Sequence, residues 1–378
     1  MDASAFPFRR ARGSILVVVL VMILFASIAL VAFIERASDD LLVEVRASDA
    51  AALRLEAYSA LETTLAVLED FRAVGGALRS PAEGWGDPLE WSGYEPGEGR
   101  EVTVTFQDES GKLPLPRADF PMLVELFKTW NLAQADAERL TDALLGWAQK
   151  DYVAMTASAP RPDDYERAPL PFGPPGRSLR SFDELVSIDV VREMLFEEDG
   201  RPNELWHQFV STVSLYDFRQ PNVNSARPGV LAALARYDES QQETLSHYLN
   251  GTGPYEFQGP RYFQRANEVA TVLGAQSLPQ GFGAEIQALR IEVTVREALS
   301  TYRLGVVVAP PGGARPVRAV KKEGEEVEQT TTAAPAAPAT GARASANEPP
   351  PINYPFTLLE IRENDAPVAL PAAAEDTP

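Results

Sequence analysis

Apolar residues occupy positions 14–34 without a single charge, and no polar face interrupts 15–25. A helix of about 20 such residues crosses a bilayer, so the pattern predicts a transmembrane helix over 14–34. From 35 to 72 the chain turns to Ala, Leu, Glu and Arg with neither Gly nor Pro, and the helix is expected to continue past the membrane as a spine over 35–76. Leu61, Leu65 and Leu68 fall at i, i+4 and i+7, with Leu55 and Tyr58 read as extending the stripe. That gives one apolar face able to pack on a domain. Gly75-Gly76 is the expected stop.

Period-two patterns follow. After a Gly-, Pro- and Trp-rich stretch at 84–99, read as loop, Val102, Val104 and Phe106 alternate with Thr103 and Thr105, which predicts a strand with one buried face. Residues 108–112 supply a turn. Helical patterns occupy 120–130, 135–149, 181–196, 202–211 and 228–236, with proline-rich loops between several of them, and another helix is expected over 259–273. The segments 134–147 and 240–251 are weakly alike, so two related helical subdomains are one reading. Strands return where Ile291, Val293 and Val295 alternate with polar residues and where Tyr302, Leu304, Val306 and Val308 do the same, with a hairpin turn at 299–301. Residues 310–351 are Pro, Ala, Thr, Glu and Lys with few large apolar side chains, too few to repay ordering, and read as a flexible loop. Residues 354–362 are strand-like again, and 363–378 read as a disordered tail. The prediction is an α+β fold in which a small antiparallel sheet from 77–112, 285–309 and 352–362 packs on the long N-terminal helix and carries a helical insertion at 113–284.

Charge orients this chain and narrows its partners. Arg9, Arg10 and Arg12 precede the apolar run, and basic residues stay in the cytoplasm. Everything after Ile34 is therefore expected across the inner membrane, in the periplasm. A secretory signal peptide would have a shorter apolar region, about 7 to 15 residues, ending at a small-x-small site; Ala26 and Ala29 make a poor one. The formal net charge of −20, from 34 Lys and Arg against 54 Asp and Glu, repels phosphate backbones and argues against a nucleic-acid partner. With no Cys and only His207 and His247, thiolate chemistry is absent and His-based metal sites or triads have little material.

Taken together, a basic leader ending in Gly13, an uncut apolar helix, an amphipathic spine and strands around a helical insertion resemble the prepilin-like proteins of type IV pili and type II secretion. Several stretches are similar to the minor pseudopilin K family, general secretion pathway protein K. These are 106–113 with Asp108-Glu109-Ser110-Gly111-Lys112, the Leu-rich helix at 140–147 ending in Trp147, 178–185, and Pro221-Asn222-Val223-Asn224-Ser225-Ala226 leading into a helix. The resemblance implies prepilin-peptidase cleavage after Gly13, the cytoplasmic leader being 1–13, with Ser14 as the new N-terminus. It also implies assembly with other minor pseudopilins at the tip of a pseudopilus. Typical pseudopilins carry Glu at the fifth mature position; here it is Val18, an omission the K family shares and one that suits a subunit with no partner above it. An unpaired carboxylate in lipid is costly. K-type proteins can bind calcium through acids of the insertion, and Asp151, Asp163 and Asp164, with Glu197, Glu198 and Asp199, stand in suitable regions. Gly146 and Gln149 occupy positions where the family tends to place acids, Leu115-Pro116 replaces a more polar turn, and the 310–351 segment is no family requirement.

No catalytic role is expected. The competing readings are a membrane-anchored periplasmic hydrolase using acids such as Asp163-Asp164, and a helix-hairpin-helix DNA-uptake protein. No Gly-rich phosphate loop, nucleophile elbow or metal-binding His pair supports the first, and net charge opposes the second.

Overall fold

The computed structural model describes residues 14–160, 165, 173–275, 277–315 and 355–364. A single helix, α1 (Ser14–Gly75), runs 62 residues without a break, as the absence of Gly and Pro in its spine requires. Residues 88–92 form a short helix, α2 (Pro88–Ser92), capped by the Asp87 side chain, so the stretch expected to be all loop contains a helical turn. The antiparallel sheet has the order β1 (Arg100–Asp108), β4 (Leu289–Glu297), β5 (Ser300–Ala309), β6 (Thr357–Glu363). Between β1 and β4 lie a two-residue parallel pair, β2 (Leu113–Pro114) with β3 (Val213–Ser214), and the helices α3 (Phe120–Thr129), α4 (Gln134–Ala148), α5 (Asp189–Leu195), α6 (Glu204–Thr212) and α7 (Glu239–Asn250). The fold is α+β.

The spine packs across the sheet. Leu53, Ala57, Ala60, Leu61, Leu65 and Leu68 of α1 are buried with Ile291, Val293 and Val295 of β4 and Tyr302, Leu304, Val306 and Val308 of β5. Each Leu, Ile or Val among them contributes roughly 1.5–3 kcal/mol when fully buried. Leu55, however, is 73% exposed. Six residues from Leu61, at ~100° per residue, it is rotated roughly 120° from the stripe, and the buried face continues through Ala57 and Leu53 instead.

The insertion has its own core, in which Leu123, Phe127, Leu140, Leu144, Val191, Phe209, Val230, Leu245 and Phe263 are buried together. Helices α4 and α7, the two weakly similar segments, thus share one core. The pattern at 181–196 resolves into a 3-10 turn, Phe182–Ser187, and α5, separated by an extended Ile188 that is fully buried. The pattern at 228–236 is a helical turn followed by a π-helical turn, ended by Arg236 in the left-handed region. Over 259–273 the expected helix is largely absent. Only a 3-10 turn, Ala266–Val269, and the helical turn Ala270–Leu273 form, because Arg261 and Phe263 donate their backbone N–H groups to the Leu249 carbonyl and the Asn224 side chain instead. The β4–β5 reversal falls at Ala298-Leu299, with Ala298 at φ +51, one residue earlier than the pattern suggested. Residues 316–351 of the expected loop and 365–378 of the expected tail lie outside the described residues; of the expected tail, Glu363 completes β6 and Asn364 exchanges hydrogen bonds with Arg303 of β5.

Candidate assembly site

Three parts of the structure bear on function: the exposed N-terminal half of α1, the junction joining sheet to insertion, and the loop after α4. Gly13 lies outside the described residues, and Ser14 is the first residue of α1. The helix is long and apolar enough to cross a membrane over Val17–Ser38, by length and composition, and none of that span is buried within the chain. Val18 is 55% exposed among other apolar side chains, so position 18 offers neighbouring helices or lipid only a methyl surface.

The junction is built by the two segments with the most specific sequence resemblance. Asp108 ends β1, and one of its carboxylate oxygens accepts from the Ser110 N–H at 2.8 Å and from the Ser110 hydroxyl. The other accepts from Asn222 Nδ2 at 2.7 Å and from the Ser225 hydroxyl. Asn222 also donates to the Arg79 carbonyl at 2.9 Å, and its backbone N–H reaches the Ser110 carbonyl at 2.7 Å. Asn224 spans further: its Nδ2 donates to the Phe263 and Ala284 carbonyls at 3.0 Å, while its Oδ1 accepts from the Phe263 N–H at 2.7 Å. Five chain segments distant in sequence are thereby stitched through three side chains. Burial pushes the Asp108 carboxyl above the usual carboxylate range despite the donors around it.

Beside it lies a second, charged cluster. Glu109 and Lys112, both almost completely buried, pair at 3.0 Å; Arg290 of β4 donates to Glu109 at 2.9 Å, and Lys112 also reaches the Val210 carbonyl of α6 at 3.3 Å. Tyr216 donates to Glu360 of β6, so the network runs from insertion to the last strand. Burial alone would raise Glu109, but Lys112 and Arg290 hold it below the usual carboxylate range. A buried pair of this kind is weak support for stability by itself, yet it disfavours any other seating of the insertion on the sheet.

The last strand is clasped to the spine. Arg54 of α1 makes a bidentate pair with Glu363, 2.7 Å at the shortest, and Tyr58 donates to the same carboxylate at 2.7 Å. The hydrogen bonds from Arg54, with that from Tyr58, pull Glu363 from 4.5 down to about 2. A depressed folded-state value means the clasp stabilises fully above the unfolded value and loses its effect as pH falls through the folded one. Glu363→Gln should therefore be less stable than the wild type in denaturant melts at pH 7, with the gap closing between about pH 4.5 and pH 2. A gap that persists unchanged at pH 2 would refute the clasp.

The calcium candidates are only partly placed. Asp163 and Asp164 lie outside the described residues. Asp151 is exposed, in the left-handed region at φ +61 just after α4. Asp199 and Arg201 form an exposed pair at 3.3 Å. Among the described residues no group of three or more His, Cys, Asp or Glu is arranged to hold a metal. The carboxylate that organises this loop is Asp142, buried on α4, which accepts from Tyr152 at 2.7 Å, the Met155 N–H at 2.9 Å, and both the N–H and hydroxyl of Thr156 at 2.7 and 2.6 Å. An acid on the apolar stripe between Leu140 and Leu144 was the available sequence signal for it, and it, like Arg290 and Glu363, went unpredicted.

No family model and no curated protein matches the sequence. Among solved structures, the fold is similar to a chain in the crystal structure of the GspK-GspI-GspJ complex from the type 2 secretion system of enterotoxigenic Escherichia coli. The TM-score is 0.50 at 12% identity, and the match covers 85% of this chain and all of that one. The two chains share a fold. The long N-terminal helix on an antiparallel sheet with a helical insertion, expected from the sequence pattern, is the arrangement this chain adopts.

Proposed function

We propose that this chain is a minor pseudopilin of type II secretion. It is held in the inner membrane by the first part of α1, with its folded part in the periplasm, and assembles with other minor pseudopilins at the pseudopilus tip to support protein export across the outer membrane. Its role is assembly, without catalysis. The observation that carries this reading is the unbroken α1: 62 residues in which an apolar span, Val17–Ser38, none of it buried within the chain, continues as the spine of a sheet. One rigid rod with these two halves transmits the position of a membrane bundle to a folded head. The likeness to a chain of a secretion-system complex supports the same reading. Val18 in place of an acid suits a subunit at the end of a filament, where no neighbour's terminal amine would neutralise a carboxylate in lipid.

Intact-mass analysis of the full chain, co-expressed with or without a prepilin peptidase, tests the proposal. Loss of residues 1–13 is expected only with the peptidase and only while Gly13 is intact, so Gly13→Leu should remain uncut. An uncut wild-type chain, or cleavage near Ala29, would overturn the pseudopilin reading.

A further inference from the structure

The insertion presents one feature that neither its core nor the junction uses. After α7 the chain makes a tight loop, 251–259, whose two ends touch. Gly251 takes the left-handed conformation at φ +63, and a Cβ there would lie 2.2 Å from the Gly259 carbonyl carbon. Across the neck, the Thr252 N–H bonds the His247 carbonyl at 3.0 Å, His247 Nδ1 meets the Thr252 hydroxyl at 2.8 Å, and the Arg261 N–H bonds the Leu249 carbonyl at 3.1 Å. The tip is a 3-10 turn, Gly253–Gln258. It is braced by Tyr255, whose ring meets Tyr248 edge-on at 5.3 Å, and Tyr248 in turn stacks on the buried Phe263 at 4.9 Å. At the end of this braced turn Phe257 stands fully exposed.

An exposed phenylalanine on a flexible tail needs no explanation. One held on a loop whose backbone is already ordered has its conformational entropy cost met before any contact forms, which is what an interface anchor requires. The charges nearby select among partners. Glu243, its side chain 71% exposed, lies 3.6 Å from His247 at the neck, and Glu256 adjoins Phe257 on the tip. Of the nearby cations, Arg265 is engaged by Glu268 at 3.1 Å, leaving Arg261 as the counterweight beside the neck. Anionic lipid headgroups and nucleic-acid phosphates are repelled by such a surface, whereas aromatic lipid anchors and base-stacking platforms are accompanied by Lys and Arg. An apolar pocket rimmed with basic residues fits.

We propose that loop 251–259 is a docking element that seats Phe257 in an apolar pocket of a protein partner whose surface there is basic. The proposal is independent of the assembly role. To test it, the full chain is expressed in its own cells with a benzophenone-bearing phenylalanine analogue at position 257 or, as a control, at Val153, which is 79% exposed on another loop. The expected result is a discrete protein adduct at 257 and none at 153. The captured protein, purified and titrated against the full chain in detergent, should lose about tenfold or more in affinity with Phe257→Ser. Affinity should be kept with Phe257→Trp, weakened by Glu243→Lys and Glu256→Lys, and reduced by added salt. The melting temperature of Phe257→Ser should equal the wild type. Equal adducts at both positions, an adduct with lipid or with an acidic protein, or affinity unchanged by Phe257→Ser would overturn it.

Discussion

Asp108→Ala is expected to destabilise the full chain in detergent by about 2–3 kcal/mol, because it removes an acceptor shared by four enclosed donors and leaves the Ser110 and Ser225 hydroxyls without one. The Ser110 N–H, the Ser110 and Ser225 hydroxyls and Asn222 Nδ2 all converge on that carboxylate. Asn222 Nδ2 retains the Arg79 carbonyl and the Ser110 N–H retains the Ala288 carbonyl at 3.3 Å, but the two hydroxyls lose the acceptor that they share. Asp108→Asn keeps one acceptor oxygen and turns the other position into a donor, so it should cost less than alanine. Urea denaturation of the three proteins side by side gives the ranking. If alanine and asparagine are both indistinguishable from wild type, the junction does not hold the insertion to the sheet.

Gly111→Ala should be similarly severe for a different reason. A Cβ on Gly111 would lie 2.2 Å from the Ser225 carbonyl oxygen and 2.7 Å from its carbon, so backbone rather than a side-chain end would have to move. The Arg227 N–H also bonds the Gly111 carbonyl at 3.1 Å, so the same two segments are tied together where they would have to part. Overpacking typically costs about 1–3 kcal/mol and occasionally more, and here it also displaces the turn that satisfies Asp108, placing the expected loss at the upper end. Gly146 provides the contrast. It lies inside α4, where a Cβ would make only an ordinary 3.6 Å contact with Tyr152, and alanine should stabilise by roughly 0.5–1 kcal/mol through helix propensity. Thermal melts of the two variants should shift in opposite directions; a neutral Gly111→Ala would mean the two turns are not in close contact.

Much of the architecture was legible because its signals are local. The span and spine follow from composition and the absence of breakers, and β1, β4 and β5 from an alternation that a half-buried strand imposes on its side chains. The segments 106–113 and 221–226 stood out by resemblance, but their meeting around Asp108 did not, since no local pattern reports a contact across 114 residues. Leu55 was misassigned because an apolar residue near a stripe looks like part of it until the angular phase is counted. The helix expected at 259–273 failed because Asn224 and Leu249 claim backbone groups that a helix would need.

What the sequence by itself determined is where the chain is apolar and with what period: a rod that is lipid-compatible at one end and one-faced at the other, strands on either side of a helical region, and a basic leader before them. These depend on spacing between near neighbours. The tertiary structure decided which polar groups become partners, that Asp108, Asn222 and Asn224 lock the insertion to the sheet, that Glu363 clasps the last strand to α1, and that Phe257 is left on a braced tip. Those outcomes depend on burial, which raises the cost of every unpaired donor and charge, and burial exists only once distant segments have packed.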